Sequence, residues 1–340
     1  MNLDPTNSNP VANWPRPLSF VFSGGGAYGA TQVGMIRALI QAGIHPDLIV
    51  GTSVGAINGA MYATEPMLAV ERLTEVWTSM RKAGVFGGRT KAGTAFSALR
   101  NGLMRNNPGL MSPEPLRKLI AAHLPAERLE ELQIPTAVVV TDALVGQPKI
   151  LAQGLIGPAL QASAAIPGIF PPVKIEGCFY IDGGVSANVP IRQAISFGAR
   201  SVVVLDANPP TMPGTLPQST IGSVLHASMI MLRNQRADTV DHLIGRHPIL
   251  HLPQVTPTTQ SSFDFDNSEA LIEAGFTNTR EFLSRLPVLT DGSRRNAESA
   301  LGVDPGSNGG AGSPSAHATP PPPAPAPPHG AHPSPSSVKL

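Results

Sequence analysis

One serine of this 340-residue chain stands between glycines in a pattern that can present a nucleophile. Gly51, Ser53 and Gly55 form the pattern G-x-S-x-G. Small residues on both sides of a serine permit a sharp turn that exposes its hydroxyl at the carboxyl end of a sheet. Residues 48–50 predict a strand before this turn, and residues 56–63 predict a helix after it. This context favours a nucleophile at Ser53 over an ordinary tight turn.

A glycine-rich turn near the N-terminus is the second feature that could do chemistry. It follows a strand predicted over residues 18–23 and precedes a helix predicted over residues 27–42. Its glycines are Gly24, Gly25, Gly26 and Gly29. The spacing matches a dinucleotide-binding fingerprint, which also needs an acidic residue at the end of the second strand. Asp47 lies before that strand, so the sequence disfavours a nucleotide site.

The same glycine turn can instead supply hydrogen-bond donors to a reaction. The backbone N–H groups of Gly25 and Gly26, at the start of a helix, are suited to stabilise negative charge that develops on an oxygen. If the first two strands are parallel neighbours, the turn lies beside Ser53. We therefore predict an oxyanion hole formed by Gly24, Gly25 and Gly26.

A serine nucleophile also needs a base, and the residues alone leave its identity open. Four histidines could complete a serine-acid-histidine order, although none lies in a compelling motif. They are His226, His242, His247 and His251. Asp182, followed by two glycines, is a better candidate, but an Asp-Gly pair is also a preferred hairpin turn. Asp142 and Asp206 end predicted strands as well and compete with Asp182.

The predicted elements place these residues at one edge of a sheet. Strands, turns and helices alternate, which predicts parallel strands with right-handed crossovers and ligand sites at the carboxyl ends of the strands. Further strands are predicted over residues 136–141, 173–175, 178–181 and 201–206. Further helices are predicted over residues 158–165, 191–197, 221–245 and 267–285. The fold class is therefore α/β.

Composition and charge exclude several classes of function. The net charge is +1, which argues against nucleic-acid or membrane binding driven by overall charge. Cys178 is the only cysteine, so neither an intramolecular disulfide nor a cysteine-based zinc site is expected. The sequence suggests no metal ligands and no cofactor. It shows neither a secretory signal nor a run of about 18 apolar residues, so we expect a cytoplasmic protein.

Three segments differ in composition from the predicted folded domain, which spans about residues 15–290. Residues 1–14 are predicted to form a disordered arm. Residues 302–340 contain eleven prolines and are predicted to form a disordered or extended tail, whose partner is unknown. Residues 81–111 are basic and Gly-rich with interspersed apolar residues. This insertion predicts either a solvated loop or a segment that contacts the surface of an anionic membrane.

Three motifs in this order resemble the patatin-like phospholipase family. They are Gly24-Gly25-Gly26-x-x-Gly29, Gly51-x-Ser53-x-Gly55 and Asp182-Gly183-Gly184. Shorter similar segments are residues 163–167 leading to 170–172, residues 141–142 and residues 188–190. The resemblance covers about residues 18–206, with a weaker helical continuation to about residue 286. In one departure, Tyr28 stands where many family members carry arginine.

The resemblance implies a three-layer α/β/α fold with a mostly parallel central sheet, and hydrolysis of lipid acyl esters by a Ser-Asp dyad without histidine. On this basis Ser53 is the nucleophile, Asp182 the base, and the first glycine turn the oxyanion hole. The motif-supporting residues are Gly29, Gly51, Gly55, Gly183 and Gly184. The expected partner is a lipid or acyl-ester substrate. Two alternatives stay open: an esterase or thioesterase for soluble acyl groups, and a non-catalytic scaffold whose Pro-rich tail is a docking peptide.

Overall fold

The computed structural model describes residues 9–83, 112–210, 247–256 and 264–286, with isolated positions between 223 and 234. The chain divides into two compact units, Met1–Ser293 and Arg294–Leu340, and all described residues belong to the first. The helix predicted over residues 221–245 and the basic insertion lie almost wholly outside the described residues. The Pro-rich tail lies entirely outside them.

The prediction of a disordered N-terminal arm over residues 1–14 is wrong for residues 9–14. Residues 9–14 form turns against the domain, because Val11 is buried and Asn9 Nδ2 donates a hydrogen bond to Gly43 O at 2.9 Å. Burial of an apolar side chain in the core holds the neighbouring backbone in place. Residues 1–8 lie outside the described residues.

Eight strands of the described residues form one mixed sheet. The strands are β1 Leu18–Phe22, β2 Leu48–Thr52, β3 Thr136–Asp142, β4 Pro148–Leu151, β5 Val173–Ile175, β6 Cys178–Asp182, β7 Ser201–Leu205 and β8 Ile249–His251. Their order is β5-β6-β3-β2-β1-β7-β8, and β4 also pairs with β3. The pairs among β7, β1, β2 and β3 are parallel, as predicted from the alternation of strands and helices. Strand β8, which was not predicted, is parallel to β7.

One edge of the sheet differs from the predicted plan. Strands β5 and β6 are antiparallel to each other, and β6 and β4 are both antiparallel to β3. Only Glu176 and Gly177 connect β5 to β6, and so short a connection can join only antiparallel strands. The reversed direction of β6 matters for the site, because it brings the end of β6 close to the carboxyl end of β2.

Helices cover both faces of the sheet. They are α1 Ala30–Gln41, α2 Val54–Thr64, α3 Ala69–Ala83, α4 Glu114–His123, α5 Ile156–Ser163, α6 Gly184–Ala187, α7 Ile191–Ser196 and α8 Ser268–Arg285. Phe20 and Phe22 of β1 pack into a core with α1, α2 and α8, while Val21 faces a second core with α7. This alternation along a strand produces a three-layer α/β/α domain. None of the helices in the described ranges is long and apolar enough to cross a membrane.

Candidate active site

Ser53 lies in a strained turn between β2 and α2. Its backbone φ of 54° and ψ of −128° fall in a region that residues with a side chain rarely adopt. The flanking glycines permit the turn: a Cβ at Gly51 would lie 2.6 Å from Ala56 Cα, and a Cβ at Gly55 would collide with Ser23 O. Close packing around the turn therefore requires both glycines of the G-x-S-x-G pattern.

The Ser53 hydroxyl donates a hydrogen bond to Asp182 Oδ2 at 2.7 Å. Both residues are buried, with Ser53 8% and Asp182 5% exposed. The strand register explains the contact. Thr52 pairs with Val139 of β3, and Asp182 pairs with the next β3 residue, Val140, on the same side of β3, because β4 pairs along the other side. The structure thus brings together the predicted nucleophile and one of its three candidate carboxylates.

The Asp182 carboxyl group is unusual in its electrostatics. Burial raises the pKa of Asp182 to about 6, although hydrogen bonds from the Ser53 hydroxyl and the Gly184 N–H partly oppose this rise. The Gly184 N–H donates to Asp182 Oδ1 at 2.7 Å. Such a carboxylate is a stronger base than a solvated aspartate, and most of it is still ionised at neutral pH.

The glycine turn lies directly beside Ser53. A Cβ at Gly24 would lie 3.3 Å from Ser53 Cβ. Gly26 has a φ of 57°, which glycine adopts at no steric cost, and it begins a short 3₁₀ helix. The Gly24 N–H donates to Asn188 O at 3.1 Å, so it is not available to a ligand. Within the described part of the chain, the N–H groups of Gly25 and Gly26 have no acceptor.

The other predicted glycines are enclosed by their neighbours. A Cβ at Gly29 would come within 2.8 Å of a valine of α2. A Cβ at Gly183 would collide with Val139 O, and one at Gly184 would lie 2.9 Å from Asp182 Oδ1. The Asp-Gly pair is not a hairpin turn, because helix α6 begins at Gly184. The interpretation of Asp182 and Gly183 as an ordinary hairpin turn is therefore wrong.

The two competing aspartates have other partners. Asp142 Oδ1 accepts the N–H groups of Leu144 at 2.9 Å and Val145 at 3.0 Å, so Asp142 caps its own turn. Asp206 is fully buried, and its Oδ1 accepts a hydrogen bond from the Ser23 hydroxyl at 3.1 Å. Neither carboxylate contacts the Ser53 hydroxyl, whose acceptor is Asp182.

Histidines take no part in the site as far as the structure describes it. His251 Nε2 lies 3.4 Å from Asp206 Oδ2, and no histidine of the described residues is hydrogen bonded to Ser53 or Asp182. His242 lies outside the described residues. Within those residues, no group of three or more histidine, cysteine, aspartate or glutamate side chains could hold a metal ion.

Tyr28, in the glycine turn, is only 3% exposed and packs in the core. Burial and then the nearby Asp264 carboxylate raise the pKa of its phenol. Tyr28 therefore brings no charge to the glycine turn at neutral pH.

Several residues around the site carry no local sequence signal. Ser163 Oγ accepts the N–H of Ser53 at 2.8 Å, and Gln32 Nε2 donates to Ser23 O at 2.9 Å below the glycine turn. Ser163 and Ser53 are 110 positions apart, so no periodicity or motif spacing reveals the contact. Only the family resemblance singled out the segments that contain Ser163 and Asn188.

Together these features define a class of protein. A three-layer α/β/α domain holds a serine on a strand-to-helix turn, in contact with a buried aspartate and next to a glycine-rich turn. The family model described as "Patatin-like phospholipase" matches residues 20–195, just over half of the chain. The chain therefore belongs to the patatin-like phospholipase family.

The relatives found by sequence are much longer proteins, and this chain matches only a small part of each. Mouse patatin-like phospholipase domain-containing protein 7 is 28% identical over 205 residues, which cover 56% of this chain and 13% of the mouse protein. Lysophospholipase NTE1 of Mycosarcoma maydis is 27% identical over 190 residues, which cover 56% of this chain and 10% of the fungal protein. The chain thus corresponds to a small part of each of these longer proteins.

Among solved structures, the chain is similar to VipD from Legionella pneumophila, with a TM-score of 0.42 and 18% identity. That match covers 79% of this chain and 67% of VipD. Another similar structure is human GIVD cytosolic phospholipase A2 in complex with methyl gamma-linolenyl fluorophosphonate, with a TM-score of 0.40 and 13% identity. That match covers 79% of this chain and 58% of the human one.

Proposed function

We propose that the protein is a serine lipid acyl hydrolase that cleaves carboxylic esters with a Ser53–Asp182 dyad. The observation that carries this proposal is the 2.7 Å hydrogen bond from the Ser53 hydroxyl to Asp182 Oδ2, formed at a strained turn. Membership of the patatin-like phospholipase family and a relative named lysophospholipase support the lipid substrate.

In the acylation step, Ser53 Oγ attacks the carbonyl carbon of the ester while its proton passes to Asp182 Oδ2. The carbonyl oxygen gains the negative charge, and the N–H groups of Gly25 and Gly26 donate hydrogen bonds to it. Asp182 then gives the proton to the leaving oxygen as the carbon–oxygen bond breaks. The alcohol leaves, and an acyl group stays on Ser53.

Deacylation repeats these roles with water as the nucleophile. Asp182 takes a proton from the water as its oxygen attacks the acyl carbon, and the same N–H groups stabilise the oxyanion. The bond to Ser53 Oγ breaks as Asp182 returns the proton to that oxygen. The carboxylic acid leaves, and both side chains return to their initial protonation states.

The electrostatics of Asp182 suit this role. An aspartate with an ordinary pKa of about 4 is a poor base for a hydroxyl group, because its affinity for the proton is far lower than that of the serine alkoxide. Burial raises the pKa of Asp182 to about 6 and so narrows this difference. Direct contact between the two side chains removes the need for an intervening histidine.

Exposed apolar side chains beyond the carboxyl end of β3, the strand next to β2, favour a lipid over a small soluble ester as the substrate. Leu144 and Val145, in the turn after β3, are 84% and 68% exposed, and Phe179 at the neighbouring start of β6 is 42% exposed. Such side chains are suited to contact with a lipid aggregate. Contact of the basic insertion with an anionic membrane stays a prediction, because the insertion lies outside the described residues.

The test is product analysis with the full chain and its Ser53→Ala variant as the matched blank. The substrates are a defined phospholipid, a lysophospholipid, a short p-nitrophenyl ester and an acyl thioester. We expect fatty-acid release from the phospholipid or lysophospholipid, and less than about 1% of that release with Ser53→Ala. Hydrolysis of only the soluble substrates would favour an esterase or thioesterase. Release of product from none of them would favour the scaffold.

A further inference from the structure

We infer that Ser163 is a positioning residue that holds Ser53 and Asp182 at reacting distance from each other. The inference rests on the proposed function and adds a residue to it. Ser163 ends helix α5, which packs against β3, β5 and β6, and it is completely buried. It contacts the backbone of Ser53 and does not take part in the bond changes.

The Ser163 hydroxyl both accepts and donates a hydrogen bond, and each bond has a fixed partner. Its Oγ accepts the N–H of Ser53 at 2.8 Å and donates its proton to Val139 O at 2.6 Å. Because the proton is committed to Val139, a lone pair of the oxygen is held toward Ser53. The hydroxyl thereby fixes the orientation of the peptide group that precedes the Ser53 side chain.

The same end of α5 also holds Asp182. The N–H of Asp182 donates to Ala165 O at 3.0 Å, and the N–H of Gly183 donates to Ser163 O at 3.3 Å. Residues 163–165 therefore bind the backbone on each side of the hydrogen bond between Ser53 and Asp182. A short rigid segment that contacts both partners sets the distance between them.

The turn at Ser53 needs this support. Its φ of 54° is unfavourable for a residue with a Cβ, and such conformations persist only where surrounding contacts impose them. The Ser53 N–H lies in a buried position, where loss of its acceptor leaves an unsatisfied donor. Removal of the Ser163 hydroxyl should therefore let the turn relax, and the Ser53 hydroxyl should move away from Asp182.

The pH dependence of the reaction distinguishes positioning from simple stabilisation. The hydrogen bond from Ser53 lowers the pKa of Asp182, so a weaker bond should raise that pKa above its value in the native protein. The other groups at Asp182 are neutral: the Gly184 N–H of α6 and the Thr141 hydroxyl of β3, which donates to Asp182 O at 2.9 Å. No charged side chain of the described residues shifts this pKa.

The experiment compares Ser163→Ala with Ser201→Ala in the full chain, by turnover of a short p-nitrophenyl ester between pH 4.5 and 9. Ser201 is a matched control, because it is also fully buried and its hydroxyl donates to a carbonyl, Pro15 O, at the opposite edge of the sheet. For Ser163→Ala we expect kcat to fall about 10- to 100-fold with KM within about twofold, and the acid limb of the profile to move to higher pH. Ser201→Ala should change neither.

Two further variants keep the inference falsifiable if Ser163→Ala folds poorly. Ser163→Thr keeps the hydroxyl and should restore kcat to within about threefold of the native value. Ser163→Cys keeps the shape but hydrogen bonds weakly, and it should behave like Ser163→Ala. Native kcat and an unshifted acid limb in a folded Ser163→Ala or Ser163→Cys would overturn the inference. So would a fall in kcat without any shift of the acid limb. Activity in Ser53→Ala would instead reject the proposed function itself.

Discussion

Two buried aspartates, Asp182 and Asp206, differ in the hydrogen-bond donors that surround their carboxyl groups. Asp182 ends β6 and Asp206 directly follows β7, and they are 5% and 0% exposed. The carboxyl group of Asp182 accepts one hydrogen bond from the Ser53 hydroxyl and one from the Gly184 N–H. Its partners are few, and one of them is a group that can react.

Asp206 is instead surrounded by donors that do not react. It accepts hydrogen bonds from the Ser23 hydroxyl at 3.1 Å, from the backbone N–H of Asn208 at 3.0 Å and its side-chain Nδ2 at 2.6 Å, and from Gln254 Nε2 at 2.9 Å. A buried carboxylate with many donors anchors the elements that supply them, whereas one with few donors keeps its basicity. The number and chemistry of the partners, rather than burial, separate a candidate base from an anchor.

The same substitution at the two aspartates should separate these roles most clearly. Asp182→Asn removes the base but keeps its shape, so we expect turnover of a short ester to fall about 1,000-fold or more, with no loss of melting temperature at pH 7. The measurements are ester kinetics and thermal unfolding of each purified variant. An active Asp182→Asn with an inactive but folded Asp206→Asn would reverse the assignment.

Asp206→Asn should chiefly lower stability. The amide NH₂ that replaces one carboxylate oxygen would face donors such as Ser23 and Asn208, and these would lose an acceptor in a buried site. We expect a loss of about 3 kcal/mol in the free energy of unfolding, measured by urea denaturation at pH 7. An unchanged urea midpoint would show that Asp206 does not anchor β7 to the glycine turn.

The raised pKa of Asp182 predicts a pH-dependent difference in stability between the native protein and Asp182→Asn. The folded protein holds this proton up to about pH 6, whereas an unfolded aspartate releases it near pH 4. The stabilisation from the protonated form is therefore complete below about pH 4 and is lost as the pH rises through 6. Asp182→Asn should gain about 2 kcal/mol relative to the native protein between pH 4 and 7.

Urea denaturation of both proteins at pH 4, 5.5 and 7 tests this expectation. Groups other than Asp182 contribute about equally to the two curves and cancel in the difference. A difference in stability that stays constant over this range would mean that the carboxyl group titrates at its ordinary value. The acid limb of kcat/KM near pH 6 in the native protein should agree with the stability data.

His251→Ala should have the smallest effect. Its ring lies 3.4 Å from Asp206, which keeps its other donors when the ring is removed. We expect a loss of at most about 1 kcal/mol of stability and a kcat within about threefold of the native value. A fall of about 1,000-fold in kcat without unfolding would instead point to a histidine in the reaction.

The sequence predicts the parts of the site that depend on local backbone geometry. The glycines around Ser53 and in the first turn mark strand-to-helix turns, and the parallel strands of the core follow from the alternation of strands and helices. The family resemblance, rather than residue spacing, selects Asp182 among the aspartates. The structure adds the 2.7 Å contact that supports this choice.

Other features could not be predicted, because they depend on long-range contacts. The strands β4 and β8 have four and three residues, too few for a clear alternation of apolar and polar positions. The antiparallel direction of β6 relative to β5 could have been predicted from their two-residue connection, but the pairing of β6 with β3 depends on long-range contacts. The contact of Ser163 with Ser53 joins elements 110 positions apart and exists only once the sheet has formed.

The most direct test of the account is to identify the residue that a fluorophosphonate probe modifies in the full chain. Intact-mass and peptide mass spectrometry at pH 7.5 should find one adduct, on the peptide that contains Ser53. Labelling should be absent in Ser53→Ala and at least about 100-fold slower in Asp182→Asn, because the reaction requires an activated hydroxyl. An adduct on another residue, or labelling of Asp182→Asn at the native rate, would contradict the Ser53–Asp182 dyad.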